Sequence, residues 1–560
     1  MKKGKLFLLL IILAGFFLRT FNINWDNGYV FHPDERAIIM FTIPLEIPKS
    51  FSEFISPQSS LNPNFFAYGN FPVYLLKIAS DTSSIINPLF SQYGGMHIVG
   101  RLINAFFDTS TILVLFLLTR RLFNAKTGLI AAFFYSISVF PIQNSHFFTV
   151  DIPLTFFTLL SLYFLDLYIE KPSLKHAVFT GIAFGLSIAT KISILPLIFV
   201  IAFGFLIARL KIKRQFSLSL FLTRGFYSLS FFFTAVFIFF ITQPYTFIDF
   251  NNFFSQISLQ SKMSSDPYLF PYTLQYVGKI PIIHELTNIA LWGLGIPLSI
   301  FAFIGTIFLT AFTIKHYRKS YRIIPLVFFF WLYFLLVSNY AVGFMRYLLP
   351  IYPLFALFSA VFCVNLLFPI IIKAFHLDAK PVIKKILLII FVLISSIWTL
   401  SFLSIYTRPN TRISASDWIH ENILPGKTLA VEHWDDGLPV YDAHKYKILS
   451  FPLYDPDTEF KRQGIDQQLK TADYIIIASN RLYIPLQKLT NCKVLPENRC
   501  YPRTAEYYKK LFSEKLGFKK VAEFYSYPTI PFTNIIINDQ SADESFTVYD
   551  HPKVMIFQRK

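Results

Sequence analysis

The sequence predicts an α-helical polytopic membrane protein with a small C-terminal α/β domain. Three observations predict it. Of 560 residues, 54% are hydrophobic and 67 are phenylalanine, and the mean hydropathy is +0.50. That is more apolar surface than a soluble chain hides. Eleven apolar runs approach the length that spans a bilayer. Beyond residue 406 the composition shifts to more charge, alternating segments such as "ADYIIIAS" and "KVMIFQRK", and turn signals such as "LPGK" and "DDGLP".

In order, the runs are 6–21, 97–119, 126–141, 149–169, 175–190, 193–210, 224–242, 288–312, 322–338, 347–370 and 384–406. No small-residue cleavage site follows the first, so it is expected as a retained helix. Basic residues give direction. Lys2, Lys3 and Lys5 flank the first run. Arg120, Arg121 and Lys126, then Lys171 and Lys175, then Arg209, Lys211, Lys213 and Arg214 follow, then Lys315, Arg318, Lys319 and Arg322, and finally Lys373, Lys380, Lys384 and Lys385. With eleven spans all six clusters fall on one side, which the positive-inside rule assigns to the cytoplasm. A multi-pass protein of the cytoplasmic (inner) membrane is expected, with its N-terminus inside. Segments 22–96, 142–148, a turn at Lys191, 243–287, 339–346 and the tail 407–560 then lie outside. The net charge of +18 reads as membrane anchoring, not nucleic-acid binding. Cys363 sits in an apolar run and reads as packing. Cys492 and Cys500 bracket a polar loop and would pair in an oxidising space.

The unusual polar residues gather at the outer span ends. "FHPDER" places His32, Asp34 and Glu35 in the first outer loop. "QNSHFFTVD" places His146 and Asp151 at the entrance of the fourth span. Lys191 lies in "ATKIS", Gln243 opens "QPY", Arg346 lies in "GFMRYLLP", and Arg101 begins the second span from outside. Each has a plainer structural role available. Asp34 and Glu35 suit a solvated loop or helix cap, Asp151 suits a cap, and Lys191 and Arg346 suit snorkelling anchors. Convergence of acids and bases on one face favours a site. A charge at bilayer depth is costly and pairs or lines a cavity. Such a set suits transfer from a phospholipid carrier: cations hold the phosphate, the leaving phosphodiester needs charge stabilisation, and one carboxylate takes the acceptor proton. One base with direct displacement implies inversion.

The ordered motifs "FHPDE", "GRLINAFFDTSTILVLFLLTRRLF", "SHFFTVDIPLTFF", "ATKIS", "QPYTFID", "MRYLLPIYP", "SASDWIHENILPG" and "EHWDDGLP" resemble the bacterial branch of glycosyltransferase family 39. These are protein O-mannosyltransferase-like and aminoarabinose-transferase-like membrane enzymes of the GT-C fold. The resemblance implies a GT-C transmembrane catalytic domain over 1–406, with outer loops 22–96 and 243–287 contributing to the site, and an extracytoplasmic domain over 407–560. It implies a dolichyl- or undecaprenyl-phosphate sugar donor. Asp34 would be the general base, with Glu35 orienting the base or the acceptor. Lys191 and Arg346, with Arg101, would hold the donor phosphate. Asp151 would act in support or on the acceptor side, and His32, His146 and Gln243 would line the site. The acceptor is a glycan, a lipid or a protein. There is no room between spans for the lumenal β-trefoil of the eukaryotic members, so a protein acceptor is not implied.

Some GT-C enzymes bind a divalent metal, for which His32 with Glu35, or His284 with Glu285, are the candidates. Asp435 and Asp436 in "HWDDGLP" read as a turn unless the tail covers the site. The rival reading is a transporter or flippase for a lipid-linked saccharide. It predicts paired repeats with polar residues at the midplane, and here the polar residues sit at span ends.

Overall fold

All eleven apolar runs are helical in the computed structural model, which describes residues 2–210, 218–376 and 381–560. Lys211, Lys213, Arg214 and Lys380 of the basic clusters lie outside the described residues. Among the described residues seven helices are long and apolar enough to cross a membrane, or eight if one bent pair counts as a span. The expectation of eleven therefore exceeds what length and apolarity support. The physical reasons are visible. Helices Leu174–Thr190 and Ile324–Ser338 have 17 and 15 residues, and at ~1.5 Å per residue they fall short of a ~30 Å hydrocarbon layer. Helix Lys2–Thr20 carries Lys2, Lys3, Lys5 and Arg19 within 19 residues.

The third run breaks. Helices Ala125–Ser136 and Val139–Ser145 meet at 57°, so most of the expected loop 142–148 is helical. The Ser138 hydroxyl donates to the Phe134 carbonyl at 2.9 Å across the bend. Pro141 falls in the first turn of the second helix, where its missing N–H costs nothing. The eighth run also starts late. A π-turn over Ile289–Gly293 leads to Gly295, and helix Ile296–Lys315 follows. Gly295 holds φ +77°, and a Cβ there would meet Trp398 Cδ1 at 2.5 Å, so both backbone and packing demand glycine.

Two ends of the bundle differ in charge. At one end Arg121 and Arg322 grip Asp166 and Glu170, with Arg322 Nε and Nη2 each 2.7 Å from an Asp166 oxygen. These residues join three of the basic loops. At the other end of helix Tyr93–Leu122, Arg101 joins the first long loop. Between them, buried Arg19 donates to Asp108 at 2.5 Å, and the Tyr135 hydroxyl donates to the same carboxylate. Nothing in the sequence patterning singled out that charge pair.

The C-terminal part builds a five-stranded sheet from β1 (Thr428–Glu432), β2 (Lys447–Phe451), β3 (Tyr474–Ile477), β4 (Phe518–Phe524) and β5 (Val554–Arg559), in the order β2-β1-β3-β5-β4. β1 pairs in parallel with β2 and β3, and β5 runs antiparallel to β3 and β4. Alternation divides the side chains. Leu429, Val431, Tyr474, Ile476 and Ile556 face helix Thr411–Asn422 through Ala415 and Ile419. Ala430, Ile475, Ile477 and Phe557 face a second core with Ile465, Tyr508 and Leu511. Leu274 joins that second core, which seats the loop 243–287 against the sheet. Cys492 and Cys500 are disulfide-bonded, and Cys363 is buried and free.

This part is docked onto the helices. Phe546, Val548 and Tyr549 enter the helical core, where Phe546 packs on Phe402 and Trp292. Gln143 Nε2 donates to the Phe546 carbonyl at 2.7 Å and to Asp550 at 3.0 Å, and the Tyr406 hydroxyl donates to Asp550 at 2.8 Å. Buried His551 stands between Asp550 (2.5 Å) and Asp539 (2.8 Å).

Candidate active site

The site begins with Pro33, the first residue of helix Pro33–Thr42. Proline suits that position, and it keeps His32 extended at φ −78°, ψ 116°. His32 caps the helix: its Nδ1 accepts the Asp34 N–H at 3.3 Å. Its ring packs on Tyr549 and Phe147, with centroids 4.1 and 4.7 Å away. Burial, reinforced by the charges of Arg346, Arg101, Arg481 and Arg36, pushes His32 well below the usual imidazole range. It is a neutral cap.

The two acids that follow part company. Asp34 lines a cavity of about 650 Å³, whereas Glu35 points into the protein and is completely buried. Arg101 Nε and Nη2 each donate to a Glu35 oxygen at 2.8 Å, and the Phe148 N–H donates to Oε1 at 2.9 Å. Arg101 also donates to Asp26 at 2.6 and 3.0 Å and to the Ile23 carbonyl at 2.9 Å. Arg101 is thus fully buried with no face on the cavity. It braces the first loop, which differs from the phosphate-binding expectation. The cause is that Asp26, one residue past Trp25, supplies a second carboxylate that the motif alone did not reveal.

Around Asp34 charges alternate. Arg346 Nη1 donates to Asp34, Arg346 Nε stands 3.9 Å from Asp151, and Lys191 Nζ donates to Asp151 at 2.7 Å. Asp151 is the first residue of helix Asp151–Glu170, one position past the N-cap residue Val150, and its carboxylate is taken up by Lys191. Lys191 ends helix Leu174–Thr190 with an extended backbone and lies over the Tyr347 ring at 4.7 Å. Asp34, Lys191 and Arg346 all line the cavity, and Asp151 sits behind them. Gln243 also lines it, with Oε1 accepting the Asn70 N–H at 2.8 Å. Beside it Gly69 runs so close to Ala189 that a Cβ would lie 1.8 Å from the Ala189 oxygen.

His146 is elsewhere. Its ring nitrogens lie 2.9 Å from the Ile142 carbonyl and 3.0 Å from the Phe21 carbonyl, and it stacks on Tyr406. It joins the bent helix pair to the first helix and does not line the cavity. The metal candidates do not fit a cation either. Glu35 is saturated by Arg101 and Phe148, and His32 Nδ1 is used by Asp34. Glu285 accepts from Lys279 at 2.6 Å, and His284 faces Asp543 at 3.3 Å. Among the described residues no group of three or more His, Cys, Asp or Glu side chains could hold a metal.

The C-terminal part completes the wall with Trp434, Asp435, Asp436, Arg481, Glu544 and Tyr549. Asp435 and Asp436 are therefore more than a turn. Arg412 Nη2 donates to Asp435 at 3.0 Å, and Arg36 Nη2 donates to Asp436 at 2.8 Å. Burial opposes ionisation of Asp436, but Arg412 and Arg36 hold it below the usual carboxylate range. Arg481 donates to Glu544 at 2.7 Å, and burial, opposed by Arg481, pushes Glu544 up to about 7. Sequence reasoning missed Arg412, Arg481, Glu544 and Tyr549. Arg481, which follows the apolar run "YIIIA", carries a signal that could have found it; Arg412 in "NTRISAS" and Glu544 in "SADESF" sit among polar residues and carry none.

Comparison with known proteins agrees with this architecture. Residues 84–239 match the family described as "Dolichyl-phosphate-mannose-protein mannosyltransferase". The archaeal oligosaccharyltransferase AglB from Archaeoglobus fulgidus, solved with an inhibitory peptide and a dolichol-phosphate, is similar at TM-score 0.51 and 16% identity, over 99% of this chain and 88% of that one. The A. fulgidus oligosaccharyltransferase tethered with an acceptor peptide is similar at TM-score 0.50 and 17% identity, over 96% of this chain and 74% of that one. ArnT from Cupriavidus metallidurans, bound to undecaprenyl phosphate, is similar at TM-score 0.45 and 15% identity, over 88% of this chain and 94% of that one. No curated protein matches the chain by sequence. At these identities the solved structures speak to fold alone: the chain shares the helical membrane fold of the archaeal oligosaccharyltransferase AglB, and its residues 84–239 are similar to the protein mannosyltransferase family.

Proposed function

We infer that the cavity moves a sugar from a polyprenyl-phosphate donor to an acceptor hydroxyl at the outer face of the cytoplasmic membrane. One observation carries this reading: the helical wall of the cavity sets the Asp34 carboxylate beside two cations, Lys191 and Arg346. The dolichol-phosphate in the AglB structure and the family's printed substrate make a lipid-phosphate donor the natural occupant.

In this reading the donor phosphate lies against Lys191 and Arg346. Arg346 then exchanges the Asp34 carboxylate for a phosphate oxygen, which leaves Asp34 free to accept a proton. The acceptor oxygen gives its proton to Asp34 as it bonds to the anomeric carbon. The bond from that carbon to the phosphate oxygen breaks, and the lipid phosphate leaves with the electron pair, its charge held by the two cations. Asp151 fixes both cations, and Glu35 with Arg101 fixes the loop that presents Asp34. Direct displacement inverts the anomeric configuration. Nuclear magnetic resonance of the fresh product tests this: an inverted linkage is expected, and a retained one contradicts the single-base reading.

A further inference from the structure

Aromatic side chains on the cavity wall form a strip. Ring centroids of Trp434 and Tyr272 are 6.3 Å apart, Tyr272 and Phe344 6.5 Å, and Phe344 and Tyr347 5.5 Å. Tyr347 in turn lies beneath the Lys191 ammonium. The strip thus runs from the cations to the α/β part of the chain. At its far end Trp434 is 50% exposed and holds φ +65°. A left-handed backbone is strained for a bulky residue, and such strain persists where the surroundings hold it in place. Here they do. The Trp434 carbonyl accepts from Arg481 at 3.2 Å, and the two acids after it are pinned by Arg412 and Arg36.

The geometry points to an acceptor subsite for a saccharide on this strip, with a sugar ring stacked on Trp434 and a hydroxyl turned toward Asp34. The inference rests on the glycosyltransferase reading and gives it an acceptor class. Three features select a saccharide. The C–H face of a pyranose packs on an indole while its hydroxyls take planar polar partners, and ionised Asp436 and Arg481 stand on the same wall. The strip leaves the apolar helices for the sheet-bearing part, so it does not follow a lipid chain. Among the described residues no strand residue lines the cavity, so an extended polypeptide finds no backbone edge there to pair with. The ion pair of Asp436 with Arg36, on the helix that carries Asp34, ties platform to base.

Saturation-transfer resonance on the full chain in lipid nanodiscs tests the subsite. The probes are a panel of neutral tri- to penta-hexosaccharides and, separately, a Ser/Thr-rich decapeptide. The expected result is saccharide binding that Trp434→Phe keeps and that Trp434→Ala and Tyr272→Ala weaken tenfold or more. Absence of saccharide binding, equal binding by Trp434→Ala, or Trp434-dependent binding of the peptide instead would overturn the assignment. Loss of a polyprenyl-phosphate sugar donor, followed in parallel, checks the underlying reading separately. Donor loss that needs Asp34, together with saccharide binding that ignores Trp434, sinks this inference and keeps that reading.

Discussion

Asp34 and Glu35 are chemically near-identical neighbours with opposite surroundings. Asp34 opens on the cavity and pairs with Arg346, while Glu35 is spent on Arg101. Substitutions should separate these roles. Lys191→Ala and Arg346→Ala each remove a charge-assisted contact of ~1.5–3 kcal/mol, which predicts donor affinity weaker by roughly 10–100-fold in an equilibrium binding assay. Arg101→Ala instead strands Asp26 and Glu35 as buried charges. It should cost about 3–5 kcal/mol of stability, read as lower thermal resistance and yield in detergent, while the donor affinity of the folded fraction stays near wild type. The residue types of the site were legible in "FHPDER", "ATKIS" and "GFMRYLLP". Which acid faces the cavity was not, because that depends on Asp26 and Arg101 meeting across 75 residues of sequence.

Helices were the most legible elements, since an apolar run in a membrane chain has few alternatives. Their breaks were not, because a bend at Ile137–Ser138 or a π-turn before Gly295 depends on partners such as Trp398. Close packing between elements was equally hidden. Helix Leu218–Thr242 lies against helix Leu174–Thr190, where a Cβ at Gly185 would meet the Ala235 carbonyl oxygen at 2.7 Å and Ile238 Cβ at 2.9 Å. Gly185→Val must push these helices apart and should destabilise the protein by roughly 1–3 kcal/mol. A thermal melt in detergent checks this, and an unchanged midpoint would show that the contact is slack.

At the scale of the whole molecule, the C-terminal part closes the cavity and is locked by His551 between Asp550 and Asp539. Burial alone would lower the His551 pKa, but the two carboxylates raise it from 6.5 to about 10. A folded pKa above the unfolded one contributes stability that is complete below pH ~6.5 and is lost as pH rises toward 10. Hydrogen exchange of residues 539–551 should therefore quicken between pH 7 and 10, after correction for intrinsic rates, and His551→Gln should flatten that trend. The sequence disclosed that the tail is an α/β unit. That it docks through Gln143 and Tyr406 was invisible, because those contacts span 407 and 144 residues. The orientation proposed from the basic loops predicts protease cleavage of the tail only from the extracytoplasmic side. The central claim is that Asp34 is the base of a lipid-phosphate sugar transfer. Its most direct test is loss of a polyprenyl-phosphate sugar by purified wild type and Asp34→Asn under saturating donor. The account predicts a fall of ~10²–10⁴-fold in turnover with donor affinity retained, and wild-type turnover by Asp34→Asn would contradict it.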